Sequence, residues 1–194
     1  DALPIYEDVD LALSDLAPGQ EGWSAYLAGV VWALREAGHD VGGATLVLTS
    51  DVPLGAGLSS SAAIECAVVA AYCDLYGLGI APIDRAKLAR VAENAYVGAP
   101  TGLLDQAAST LCQAEAGLFL DCRSLETELV PLPMAEQGYE MLVLDTKTPH
   151  SHVDGEYGTR RATCEEAARL LGVPALRDVT DLDAALAKLD DETM

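Results

Sequence analysis

Pro53 to Ala63, PLGAGLSSSAA, combines two glycines, three consecutive serines and a helix start. A strand-like run, Ala44 to Ser50, leads into it, and a helical apolar pattern leaves it. The first-turn amides of a helix lack intrahelical acceptors, and the helix dipole favours an anion there. A glycine-rich turn at that point makes a phosphate cradle, with Gly55, Ala56, Gly57, Leu58, Ser59, Ser60 and Ser61 as its lining. The segment is not the G-x-x-x-x-G-K-[ST] loop, because no lysine follows the glycines. The structural alternative is a helix simply capped by Ser59 or Ser60. Two carboxylates downstream bear on the choice. Glu93 stands near the end of a helical pattern, and Asp105 follows the break Gly98-Ala99-Pro100-Thr101-Gly102. Either residue alone would ordinarily be a solvated surface charge. Functional groups concentrate on such loops, however, and Leu103, Leu104, Ala107 and Ala108 flank Asp105 with core-type side chains. A phosphate loop in an acidic protein also calls for a metal, and oxygen ligands from Ser and Glu suit Mg²⁺.

The 194 residues carry 11 basic and 31 acidic side chains, a net charge of −20. That surface repels phosphate backbones and anionic membranes, which argues against nucleic-acid and membrane partners. The longest apolar stretch, around Cys66 to Cys73, is far short of the ~20 residues of a spanning helix. No basic segment followed by an apolar one opens the chain, so no signal peptide is read. Five cysteines, odd in number and without a C-x-x-C pair, read as reduced, buried thiols of a cytoplasmic protein.

The elements that must position these groups follow from periodicity. Trp23, Leu27, Val30, Val31 and Leu34 mark an amphipathic helix ended by Gly38. Thr45 to Thr49 alternates as a strand covered on one or both faces. The helix after the serines is expected to bury Ile64, Ala67, Val68, Ala71 and Leu75 and to stop at Gly77-Leu78-Gly79. Asp84 to Tyr96 reads as a further helix with Leu88, Val91, Ala92 and Ala95 inward, and Leu103 to Gln113 as a short one. Strands follow at Gly117 to Cys122, Thr127 to Leu132 and Met141 to Leu144. A helix is read from Tyr157 to Leu171, with Cys164, Ala167, Ala168 and Leu171 on one face, and the acidic tail from Asp178 is helix-like. Pro131, Pro133 and the polar stretch to Gly138 mark the best boundary, giving units 1–137 and 138–194. Strands and helices mix without regular βαβ alternation, which makes the class α+β.

Gly55 to Ala63 resembles the second signature motif of the GHMP kinases. Three further segments resemble the galactokinase branch: Gly98 to Gln106 (GAPTGLLDQ), Phe119 to Glu126 (FLDCRSLE), and His150 to Glu166 with Glu156-Tyr157-Gly158-Thr159-Arg160-Arg161 at its core. Gly22 to Gly38 is similar to the segment that precedes the phosphate loop in that branch. The resemblance implies a ribosomal protein S5 domain 2-like N-terminal domain and part of a ferredoxin-like C-terminal domain. It implies ATP phosphates on Gly55 to Ser61, and Mg²⁺ on Ser61 and Glu93. Asp105 would be the catalytic base facing the sugar hydroxyl, with Gly102 and Tyr157 lining the sugar site. Leu104 replaces a usual methionine and Thr101 a frequent cysteine, at positions to which the resemblance gives no catalytic role.

The implied activity is transfer of the γ-phosphate of ATP to the anomeric hydroxyl of galactose, by a monomer when full length. The family's N-terminal signature (an Arg, a Glu-His pair and a sugar-binding Asp) and its C-terminal glycine-rich motif do not occur in this sequence. The chain is therefore expected to be the central piece of a longer enzyme, inactive alone, with apolar surface exposed around Leu142, Leu144, Leu170 and Leu171. Rival readings are a sister kinase acting on N-acetylgalactosamine or a small alcohol, a non-catalytic sugar and ATP sensor, and a purely structural α+β domain.

Overall fold

Alanine, valine and leucine at helical spacing produce most of the ordered structure. The computed structural model describes residues 8–53, 57–144 and 156–189, with the backbone alone for Glu156 and Tyr157. By internal contacts the chain forms two compact units, Asp1–His150 and Ser151–Met194.

In the first unit, helices α1 (Ser24–Glu36), α2 (Ser60–Tyr76) and α3 (Pro82–Val91) pack against one another. Val30, Leu34, Val69, Tyr72, Ala89 and Ala92 form their shared core. Full burial of a valine or leucine side chain stabilises by about 1.5–3 kcal/mol, so this cluster holds the three helices together. Pro82 at the first turn starts α3, where its missing N–H is harmless. At its other end α3 runs into a π-helical turn, Ala92–Val97, ended by Gly98 at a φ of 89°. Gly29 of α1 lets this turn approach closely: a Cβ there would lie 3.2 Å from Cβ of Tyr96 and 3.3 Å from Cβ of Ala92. The Trp32 and Tyr96 rings add a tilted contact, 5.6 Å between centroids.

Helix α4 (Leu104–Leu111) packs on α2 and α3. A hairpin follows: β1 (Ala116–Leu120) and β2 (Thr127–Pro131) pair antiparallel, from Ala116 opposite Pro131 to Leu120 opposite Thr127. Its turn is built by Asp121, whose Oδ1 accepts from the amides of Arg123 at 2.7 Å and Ser124 at 3.0 Å. This is the turn chemistry at which aspartate excels, and it accounts for the FLDCRSLE segment locally. In the second unit, α5 (Glu156–Leu171) leads to a 3₁₀ turn, Leu176–Asp178, and to α6 (Leu182–Leu186). Asp181 caps α6, accepting from the amide of Ala184 at 2.9 Å.

Several sequence expectations change. Thr45 to Thr49 forms no ladder among the described residues and is not covered; Val47 is 91% exposed. Met141 to Leu144 is likewise unpaired, with Leu142 79% and Leu144 78% exposed. Both segments have the right side chains for a strand but no described neighbour to complete the hydrogen bonding. The exposure expected at Leu142, Leu144 and Leu170 is present, whereas Leu171 is half-buried.

Helix α2 is turned partly from its expected face: Val68 is buried as expected and Ile64 is half-buried, but Ala62, Glu65, Val69, Tyr72 and Cys73 also point inward, while Ala67, Ala71 and Leu75 are exposed. It is apolar nearly all round, so periodicity carried little information, and a buried glutamate inverted the rest. In α3 and the turn after it, Ala86, Ala89, Ala92, Glu93 and Tyr96 are inward, whereas Val91 and Ala95 face out. Tight helix contacts here select alanine over larger residues. Cys73 is the buried thiol; Cys66 is half-buried, and Cys112, Cys122 and Cys164 are exposed. The inward face expected of α5 holds at Ala167 and Ala168 but not at Cys164.

Candidate active site

The serine segment sits where a phosphate cradle belongs, at the N-terminus of α2. Ser59 occupies the cap position with a left-handed φ of 54°, and its side chain caps no amide. That is an uncommon conformation for a residue with a Cβ. Gly57 has a φ of 71° with open space beside it. The simple capped helix is therefore not what forms here. Leu58 is exposed, Ser60 opens α2, and Ser61 is half-buried in its first turn. Gly55 and Ala56 lie outside the described residues.

One helical turn on from Ser61, and hence on the same face, is Glu65, which is 0% exposed. Glu93, in the π turn, is 3% exposed. A π turn adds a residue to the helical circuit and recurs at functional sites. Glu93 closes it through its carbonyl, which accepts from the amides of Gly98 and Ala99, each at 3.0 Å. Its side chain is held at one oxygen: Oε2 accepts from Thr101 Oγ1 at 2.7 Å and from Gln106 Nε2 at 2.6 Å. Asn94 Nδ2 donates to the same Thr101 hydroxyl at 3.2 Å. Gln106 Nε2 also reaches Glu65 Oε2 at 3.4 Å. The π turn, the loop after it, α2 and α4 are thus tied through one buried polar network.

Its electrostatics are uneven. Burial, and secondarily the charge of Glu93, push the Glu65 carboxyl up to about 9, against an opposing pull from the Gln106 hydrogen bond. Glu65 is therefore neutral near pH 7. Burial foremost, then the charges of Glu93 and Glu65, also raises the Tyr26 hydroxyl. Among the described residues, Oε1 of Glu65 and Oε1 of Gln106 are buried without partners.

Asp105 lies in the first turn of α4, exposed, beside the buried Gln106. No side chain caps this helix, so Asp105 does not serve as its cap. A carboxylate in a first turn is favoured by the dipole, and this one is free to face a ligand. Leu103 and Ala107 are buried around it, but Leu104 is exposed. Gly102 is exposed with open space where a Cβ would be. The structure therefore joins Glu93 to Gln106, the chain neighbour of the exposed Asp105, and sets Ser61 on the face of α2 that carries Glu65. Tyr157 is in the second unit, and its side chain lies outside the described residues.

Three network members were not singled out from sequence. Glu65 is a lone glutamate in an otherwise apolar stretch of helix, and that is the signal by which it could have been found. Gln106 was read as part of a motif without a task. Thr101 was set aside as a position without a role, yet its hydroxyl bonds directly to Glu93.

Residues 25–113 match the family described as GHMP kinases N terminal domain. That span contains the serine segment, Glu65, Glu93, Thr101, Asp105 and Gln106. The chain belongs to the GHMP kinases. Among curated GHMP kinase relatives it is 54% identical to a galactokinase of Streptomyces coelicolor, over 96% of this chain and 49% of that protein. A galactokinase of Mycobacterium tuberculosis is 46% identical over 91% of this chain and 49% of its own length. The GHMP kinase chain thus spans about half the length of these relatives. A crystal structure of Lactococcus lactis galactokinase complexed with galactose superposes with a TM-score of 0.82 at 26% identity, covering 94% of this chain and 48% of that one. The α+β class and the GHMP kinase fold stand.

Proposed function

We propose that the protein of which this chain is a part is a galactokinase, transferring the γ-phosphate of ATP to the anomeric hydroxyl of galactose to give galactose 1-phosphate. The observation that carries this reading is the 54% identity to a galactokinase across 96% of the chain. The site geometry supports it, because phosphoryl transfer asks a protein mainly for positioning and charge stabilisation. Gly55 to Ser61 would cradle the ATP phosphates on the uncapped N-terminus of α2. Asp105, exposed at the start of α4, would accept or orient the proton of the attacking hydroxyl. Gly102, where a Cβ would meet open space, would line the sugar site; Tyr157 is proposed as a sugar-binding residue on the resemblance of its segment alone.

The donor set fits Mg²⁺. Both hydrogen bonds to Glu93 fall on Oε2, leaving Oε1 for a cation, and Ser61 supplies a hydroxyl. No group of three or more His, Cys, Asp or Glu side chains converges among the described residues. Mg²⁺ seldom needs an all-protein cage, since it takes substrate phosphates and waters as its other ligands. When bound it would neutralise charge on the β- and γ-phosphates.

We place the boundary of the ATP-binding domain at residue 137, with 138–194 beginning the second domain. The full-length protein is read as a cytoplasmic monomer without nucleic-acid or membrane partners; among the described residues no helix is long and apolar enough to cross a membrane. The test is sugar-dependent ADP release by the full-length protein with Mg²⁺ and ATP. Galactose should be the preferred acceptor. Preference for N-acetylgalactosamine would move the assignment to the sister kinase, and ATP and sugar binding without turnover would favour the sensor.

A further inference from the structure

We propose that Gln106 is a positioning residue: it locks the rotation of α4 to Glu93 and thereby fixes where Asp105 stands relative to the metal-binding carboxylate. The inference rests on the phosphotransfer reading above and deepens it. Gln106 is fully buried, yet it follows directly after the exposed Asp105. Consecutive helical residues point about 100° apart, following from 3.6 residues per turn, so the inward direction of Gln106 sets the outward direction of Asp105. Two bonds from one amide nitrogen hold that inward direction, 2.6 Å to Glu93 on the π turn and 3.4 Å to Glu65 on α2. The reversed amide would set an oxygen against the Glu93 carboxylate at 2.6 Å, so Nε2 must face it. A third, weaker tie runs through the backbone, where the carbonyl of Gln106 accepts from Cys66 Sγ at 3.6 Å.

The other side-chain ties of α4 are weaker or lie at its far end: Thr110 Oγ1 donates to Cys66 Sγ at 3.4 Å, and the half-buried Leu111 packs against the cluster of Ala86, Leu103 and Ala107. The helix has eight residues and no side-chain cap, and its other fully buried side chain, Ala107, is too short to resist rotation. At the ~5–6 Å radius of a helix with its side chains, a turn of about 10° moves a carboxylate by about 1 Å. A displacement of that size at a reacting group is worth about 10²-fold in rate.

The test is a cycle of variants in the full-length protein. Gln106→Met keeps the length and bulk of the side chain but removes the donor. Turnover should fall about 10²-fold with the KM for galactose changed less than about threefold. In an Asp105→Asn background the same change should lower turnover less than about threefold, because the group it positions is already lost. An equal fall in both backgrounds, or turnover like the parent's, overturns the proposal. If Gln106→Met does not fold, the parent protein decides by NMR. Its Gln106 side-chain amide signals should shift when Mg²⁺, galactose and a non-hydrolysable ATP analogue are added together, and unmoved signals overturn the proposal. A parent protein that fails to phosphorylate galactose sinks the functional reading instead, so the two failures are distinct.

Discussion

Replacing Glu65 with glutamine should stabilise the domain, and by an amount that grows with pH. Glu65 is completely buried on α2, and one of its oxygens has no partner. Its carboxyl is raised from 4.5 to about 9, by burial first and by the charge of Glu93 second. The folded protein therefore keeps a proton at neutral pH that the unfolded chain has released. For a pKa raised on folding, the favourable contribution is complete below the unfolded value. It is then lost at about 1.36 kcal/mol per pH unit up to the folded value. From 4.5 to pH 7 that amounts to about 3 kcal/mol, and by pH 9 to about 6 kcal/mol. Glutamine has nearly the same shape and is neutral throughout. Urea unfolding of the full-length protein and the variant between pH 5 and 9 checks this, with Trp32 against Tyr96 as a fluorescence reporter. The stability gap should be ~1 kcal/mol at pH 5 and open steadily above it. A gap independent of pH, or a variant less stable than the parent at pH 7, would refute the reasoning.

Other outcomes follow from the same geometry. Glu93→Gln removes the charge proposed to hold Mg²⁺, and the Mg²⁺ concentration for half-maximal turnover should rise roughly 10- to 100-fold; an unchanged Mg²⁺ profile would remove Glu93 from the metal site. Gly29→Ala puts a methyl 3.2 Å from Tyr96 and should lower stability by about 1–3 kcal/mol in thermal or urea unfolding; a neutral result would mean the π turn yields freely.

How much of this was legible in the sequence depended on local chemistry. The two strands of the hairpin were readable from composition, though the turn that Asp121 builds lay inside the expected first strand, and the helices were readable by length. Burial faces were not. In α2 nearly every residue is apolar or small, so the direction of Glu65 and Tyr72 had to come from packing. The π turn escaped notice because it depends on the non-local bonds of Glu93 to Thr101 and Gln106, which no helical period records. Thr45 to Thr49 had strand composition, but a strand is a property of two segments. At the site, Asp105 and Glu93 were identifiable from the loop between them, whereas Gln106 became meaningful once its burial and partners were known.

The most direct test of the account is Asp105→Asn in the full-length protein. The change keeps size and removes charge, and because Asp105 caps nothing, stability should move by no more than the ~0.3–1 kcal/mol of a dipole interaction. Binding of ATP and galactose by calorimetry should be preserved, while galactose 1-phosphate formation, followed by phosphorus NMR, should fall ~10² to 10⁴-fold. Near-normal formation of galactose 1-phosphate by that variant would contradict the central claim that Asp105 acts on the transferred group's acceptor.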